Sequence, residues 1–256
     1  MKNRDRIIRY YQGTDNGELA ARLIDLADST AKGRPYAVSE FVSPGAVQIG
    51  ETIQAHVPSL VLRTSGGYEG AERVKLAFVS VDYDGPVDFG ITACKLSWDD
   101  RYRLLGHRDV LGSLMSLGID RGRFGDIIMQ DAGAVLLAET PLVPYLQQNF
   151  TKIAMVPITI EEIPLSDIAP RQEKVKEIKT TVASLRLDAI VSSGFGISRT
   201  KAADAVKGER VQVNWQPAKG PSQEVRQGDV ISLRGKGGWS WPKLPERREK
   251  VEPAFC

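Results

Sequence analysis

Ser198-Arg199-Thr200-Lys201-Ala202-Ala203-Asp204-Ala205-Val206-Lys207-Gly208-Glu209-Arg210-Val211-Gln212-Val213-Asn214 decides how the carboxyl-terminal part of this 256-residue chain folds. Ser198 is a good N-cap, so a helix is predicted over 199–206. Lys207 then stands at the negative end of the helix dipole and Gly208 at the C-cap. From Val211 the period changes to two, which predicts a strand over 211–215, paired with a second over 230–233 after the turn Gln227-Gly228-Asp229. Upstream, Val182, Leu185, Ala189 and Ile190 share one face of another helix, off which Arg186 and Asp188 point, and Phe195-Gly196-Ile197 closes it. The expectation is two short helices against a small sheet, with Arg199, Lys201, Lys207 and Arg210 crowding the second helix and its exit.

Working towards the amino terminus, 165–181 is polar and contains Pro170, as a linker between domains does. Amphipathic helices are predicted over 15–31 and, from Pro44, over 44–56. Gly66-Gly67-Tyr68-Glu69-Gly70 is too glycine-rich to be regular and reads as a loop. Strands are expected over 74–81 and 89–96, a helix over 109–117, short strands at 127–129 and 135–138, a helix over 141–150 and a last strand over 152–163. Sheet and helix alternating in this way fit an α/β plait covered on one face. The fold class is therefore α+β. The expected order is an N-terminal helical region (1–73), the plait (74–164), the linker (165–181), the small carboxyl-terminal domain (182–236) and a basic tail (237–256).

Composition bounds the chemistry. With 42% hydrophobic and 26% charged residues the chain is an ordinary globular protein. No run approaches the roughly 20 apolar residues that cross a bilayer, and the start lacks the apolar stretch of a secretory signal, so a cytoplasmic protein with no membrane insertion is expected. Two cysteines and two histidines leave no disulfide scaffold or histidine-rich metal site, and neither a metal nor a cofactor is expected. From Arg171 onward there are 17 Lys/Arg against 10 Asp/Glu, whereas the first 170 residues carry 17 against 22. The basic end is where an anionic partner would bind.

Arg186-Leu187-Asp188, Ser198 to Ala202, Gly208 to Asn214 and Val225-Arg226-Gln227-Gly228-Asp229-Val230-Ile231 resemble, in order and spacing, the RNA-binding domain named after ribosomal small-subunit protein four, the S-four domain. In that family the first two helices form the RNA face, so the resemblance implies RNA contacts from Arg186, Ser198, Arg199, Lys201, Lys207, Arg210 and Asn214. The chain departs from the pattern at Trp215, where glycine is frequent. Gly66 to Arg73 and Gly106 to Ile127 are similar to stretches of YlmH-type proteins, which join an RNA-recognition-like plait to an S-four domain. Relatives on the cyanobacterial and plastid branch are called photosystem II S-four domain proteins, and this chain resembles that branch. The resemblance implies binding to structured RNA, transfer or ribosomal, and to the large ribosomal subunit, with a part in rescuing obstructed nascent chains; no DNA partner is expected.

The residues themselves agree. A cationic helix pair suits the phosphates and shape of A-form RNA better than base-edge readout. In the plait, Arg108, Arg121 and Arg123 gather near one helix and are candidate RNA contacts, since packing does not readily explain three guanidiniums. Free N–H groups near His107 could hold a phosphate, or His107 could be a cap. Gly112 and Gly118 leave room for another backbone. The 66–70 loop lacks the lysine and hydroxyl of a phosphate-gripping loop, so it is not read as a nucleotide site. No catalytic residues are assigned. Two alternatives remain: a pseudouridine synthase, which Arg186-Leu187-Asp188 suggests although Ser192-Ser193-Gly194 falls one residue late, and a photosystem II assembly factor acting through protein contacts.

Overall fold

The computed structural model describes residues 17–99, 101, 104–131, 133–168, 184–214, 216–226 and 228–234, and the backbone of strands at 237–240 and 254–255. The chain divides into two compact units, Met1–Arg171 and Gln172–Cys256. Among the described residues no helix is long and apolar enough to cross a membrane.

The amino-terminal unit contains two antiparallel sheets. The first has the order β1 (Tyr36–Val42), β3 (Val74–Ser80), β2 (Leu60–Ser65). Helices α1 (Gly17–Ala31) and α2 (Pro44–Ala55) cover it, packing Leu23, Ile24, Ile49 and Ile53 against Leu76 and Phe78. The region expected to be helical alone thus contributes two strands, and the strand at Val74 belongs to this sheet rather than to the plait. The alternation in β1 is disguised. Its buried positions include Ser39, whose hydroxyl accepts the Leu76 N–H at 2.9 Å, while Val38 is only half-buried.

The second sheet is the plait: β4 (Ile91–Ser97), α3 (His107–Met115), β5 (Phe124–Gln130), β6 (Gly133–Glu139), α4 (Val143–Asn149), then β7 (Lys152–Ile153), β8 (Val156–Pro157) and β9 (Thr159–Ile163). The strand order β5-β6-β4-β9 is that of a split βαβ fold. On one face Leu96, Leu136 and Phe124 meet Val110, Leu114 and Leu146 of the helices. On the other, Phe41 of β1 packs with Ala93, Val135, Leu137 and Ile168, so the two sheets share a core. The expected single strand over 152–163 is instead a two-residue hairpin, β7–β8, followed by β9. Ala154 turns it with φ +53°, and Pro157 removes a ladder donor. Ile168, at the start of the expected linker, is buried; the rest of that segment, from 169, lies outside the described residues, as do Trp215 and Gln227.

The carboxyl-terminal unit packs α5 (Leu187–Phe195) and α6 (Arg199–Lys207) on a sheet ordered β11 (Gln216–Pro217), β10 (Val211–Val213), β12 (Val230–Leu233), β13 (Gly237–Ser240), β14 (Ala254–Phe255). Leu187, Ile190, Val191, Ala202, Val206, Val211 and Ile231 form its core. The first helix starts later than expected: Leu185 is exposed and Arg186 is the N-cap, its backbone bridging to Glu224. Gly196 ends that helix in the left-handed region, φ +60°. Residues 237–240 and 254–255 extend the sheet, so parts of the expected tail belong to the domain.

Candidate nucleic-acid interface

In the carboxyl-terminal unit the candidate cations are organised by one carboxylate. Asp188, with its side chain 9% accessible, sits on the first turn of α5. Arg186 Nε and Nη2 donate to its two oxygens at 3.3 and 3.2 Å, and Arg199 Nη2 donates to Oδ1 at 3.2 Å. Burial alone would raise the Asp188 pKa, but the two guanidiniums outweigh it and hold the carboxyl below its usual range. Two cations share one acid, and their side chains remain 45% and 55% accessible, so each keeps donors facing solvent. Asp188 was expected to point away from this packing; instead it fixes the direction of both arginines.

Ser198 caps α6 as expected, its Oγ accepting the Lys201 N–H at 3.3 Å. Lys201, Lys207 and Arg210 are exposed. Among the described residues none of the three is in an ion pair. They do not form one row. Successive helical residues turn by about 100°, so Arg199 and Lys201 lie about 200° apart on opposite flanks of α6, with Thr200, Lys207 and the exposed Asp204 between them.

Asn214 differs from its expected role. It adopts φ +52°. Its Oδ1 accepts the Val230 N–H at 2.9 Å and its Nδ2 donates to Asp229 Oδ1 at 2.7 Å. Asp229 Oδ2 in turn accepts the Arg226 N–H at 2.7 Å. Both polar ends of Asn214 therefore tie the end of β10 to the start of its neighbouring strand β12.

In the amino-terminal unit, packing accounts for two of the three candidate arginines after all. Arg123 Nε pairs with Glu139 at 2.7 Å. Arg121 Nη1 donates to the carbonyls of Phe124 and Gly125 at 2.7 and 3.1 Å. Only Arg108 is exposed with no ion pair among the described residues. Nor do Gly112 and Gly118 admit a neighbouring backbone of this chain: a Cβ at either meets nothing within 4 Å, and Gly118 is there for its φ of +73°.

Sequence reasoning missed the group that anchors the 66–73 loop. Asp126 of β5 accepts the Tyr68 hydroxyl at 2.8 Å and the backbone N–H groups of Glu72 and Arg73 at 2.7 and 3.0 Å. Arg73 donates Nε to Phe124 O at 3.1 Å and Nη2 to Phe41 O and Arg121 O at 2.8 and 3.3 Å. A loop needing this much fastening was signalled only by its glycines. Gly66 is obligatory, since a Cβ there would lie 2.3 Å from Ala71 Cβ and 2.7 Å from Arg73 O. Tyr68, Glu72, Arg73, His107, Arg121, Asp126 and residues 127–129 line a cleft of about 340 Å³. His107 is the first residue of α3 and not its cap; Gly106 holds that place, its N–H donating to Asp109 Oδ2 at 2.9 Å.

Comparison with known proteins agrees with both units. Residues 85–167 match the family described as "Putative RNA-binding domain in YlmH", and residues 185–231 match the S4 domain, the S-four domain above. The chain is 35% identical over 191 residues, 74% of each protein, to the ribosome-associated protein quality control protein P2 of Bacillus subtilis. It shares its fold with the cell division protein ylmH from Streptococcus pneumoniae, at TM-score 0.50 and 22% identity over 60% of this chain and 93% of that one. These matches resolve the family and not its photosynthetic branch: the chain belongs to the YlmH family, whose members join a YlmH-type RNA-binding domain to an S-four domain.

Proposed function

We propose that this protein binds structured RNA, transfer or ribosomal, at the ribosome and acts without catalysis in quality control of translation in the cytoplasm. The observation that carries the reading is the α5–α6 pair, where Asp188 fixes Arg186 and Arg199 while Lys201, Lys207 and Arg210 stay exposed. Partly tethered arginines lose little side-chain freedom on binding, and exposed lysines supply sequence-independent attraction to phosphate. Ser198 and Asn214 serve this surface by fixing the helix start and the junction of β10 with β12. On the plait, Arg108 offers a phosphate contact, Arg121 acts from the cleft, and Arg123 supports the fold beside it. The relative's ribosome-associated quality-control role supports extending the reading to the ribosome; the large subunit as partner rests on the family resemblance alone. The synthase alternative fits poorly, because a catalytic aspartate must reach a base and Asp188 has both oxygens engaged by guanidiniums. The photosystem reading rests on resemblance to that branch and is not carried further.

The test is Lys201→Gln, Lys207→Gln and Arg210→Gln combined. Arg199→Glu is avoided, since it would set a second carboxylate against Asp188. The triple variant should stay folded, bind transfer or ribosomal RNA more than tenfold more weakly, and lose about two to three units of log–log salt slope, about one per phosphate contact. Unchanged affinity and slope in the folded variant overturn the proposal.

A further inference from the structure

The cleft beside the 66–73 loop has an electrostatic pattern that packing does not use up. Asp126, the carboxylate at its base, already accepts three hydrogen bonds. Arg73 is held by three backbone carbonyls and Arg121 by two. Among the described residues neither arginine is in an ion pair, and Arg121 Nε and Nη2 have no partner. Arg121 is half-buried, and burial followed by the charge of Arg73 pulls its pKa down to about 10. Asp126 and Glu72 also line the cleft and oppose that shift, but neither accepts a hydrogen bond from Arg121, so its free N–H groups are left to meet an incoming anion. The guanidinium fork suits phosphate oxygens in particular. Beside it, Tyr68 and residues 127–129 provide an aromatic and largely aliphatic wall, and about 340 Å³ is at the small end of ligand-sized cavities.

We infer that this cleft is a binding site for one phosphorylated nucleoside: Arg121 grips the phosphate, Arg73 and His107 flank it, and Tyr68 with Ile127, Ile128 and Met129 forms the wall for sugar and base. The inference deepens the RNA-binding reading and rests on it for the source of the ligand, a nucleotide within an RNA chain. It adds Tyr68 and Arg73, which lie outside both matched domain families. An acidic peptide is the less suitable ligand, because a carboxylate uses the guanidiniums but leaves the wall unfilled.

The test uses the full chain with carbon-13-labelled isoleucine and methionine methyl groups. Uridine 5′-monophosphate, uridine, inorganic phosphate and a short glutamate-rich peptide are titrated separately while the methyls of Ile127, Ile128 and Met129 are followed. The monophosphate should shift them saturably, phosphate should compete, and uridine should bind at least tenfold more weakly, as expected on losing charge-assisted hydrogen bonds. Arg121→Met should weaken the monophosphate about tenfold. Because Arg121 also anchors two carbonyls, His107→Glu is the second variant: it places a negative charge at the mouth without touching those anchors and should weaken binding several-fold. Addition of RNA then decides the source. Displacement of the monophosphate assigns the cleft to a nucleotide in a chain, and no displacement assigns it to a free nucleotide.

No methyl shift with the monophosphate, equal binding of uridine, or a response to the peptide alone overturns the inference. If RNA binding depends on Lys201, Lys207 and Arg210 while the cleft is silent, the proposed function stands and the cleft site falls. If no RNA binds at all, the proposed function falls, and the monophosphate titration, which needs no RNA, still decides the cleft.

Discussion

Replacing Glu139 by glutamine tests how the two sheets of the amino-terminal unit are held together. Its carboxylate meets Lys75 Nζ of β3 at 3.1 Å and Arg123 Nε at 2.7 Å, tying the first sheet to β6 of the second. The Arg123 side chain is 45% accessible, so solvent limits that contact to about 1 kcal/mol or less. The Lys75 contact is of another kind, with side chains 8% and 12% accessible. Removing one partner of a buried pair costs about 3–5 kcal/mol, because the other charge is left uncompensated. The Phe41 ring, 5.7 Å from Nζ, offsets about 1–2 kcal/mol of this. Glutamine also keeps one acceptor oxygen. The expected loss is therefore about 2–3 kcal/mol. A chain of two units does not yield a single unfolding free energy, so the readout is hydrogen exchange at the amides of β3 and β6, which reports local opening. The double variant Lys75→Met, Glu139→Leu should return to within about 1 kcal/mol of the parent, since apolar replacement of both partners removes the unpaired charge. A loss below about 1 kcal/mol in Glu139→Gln, or a double variant less stable than the single, would refute the reasoning.

Three further outcomes follow from single groups. Asp188 has a depressed pKa in the folded state, so its contribution is present above its unfolded value near 3.9 and is lost as pH falls through the folded value; the acid limb of the carboxyl-terminal unit's stability should flatten in Asp188→Asn, as followed by circular dichroism. Asn214→Ala should lower thermal stability by about 1–3 kcal/mol through two lost hydrogen bonds and a left-handed backbone, and Asn214→Gly by less, because glycine tolerates the φ of +52°. Cys94 is buried and its thiol is pushed up to about 11, first by burial and then by Glu162; at pH 8 a thiol reagent should label it only as fast as the plait opens.

How much was legible in the sequence differs by element. The α5–α6 pair announced itself because caps, helical period and turn residues agree there; Ser198 and Gly196 perform the roles their chemistry suggests. Strand β1 was hidden because its inward side includes Ser39, satisfied by a main-chain N–H that sequence cannot reveal. The sheet to which 74–80 belongs was equally hidden, since pairing with β1 and β2 is a long-range choice. For the site, charge and spacing located the cations, but partners decided their roles. Arg121, Arg123 and Arg108 look alike in sequence; one is bound to carbonyls, one to Glu139, and one is exposed. Asp126 escaped notice, and Asp188 was legible as part of Arg186-Leu187-Asp188 but not as an anchor for two arginines, because the importance of a single aspartate appears only when several donors converge on it.

Those two aspartates explain why the cationic features of the two units are of different kinds. Asp188 takes one edge of Arg186 and one N–H of Arg199 and leaves both about half accessible, so the surface they share stays hydrated and its attraction to phosphate is screened within about 8 Å at physiological salt. Asp126 spends its oxygens on a hydroxyl and two main-chain N–H groups, fastening a loop beside Arg121 without accepting a hydrogen bond from it. A half-buried charge is screened less than an exposed one. The first arrangement suits rapid, salt-sensitive capture of a phosphate backbone, and the second suits a geometrically demanding contact with one nucleotide. An RNA ligand served by both would lose the first contribution to added salt well before the second.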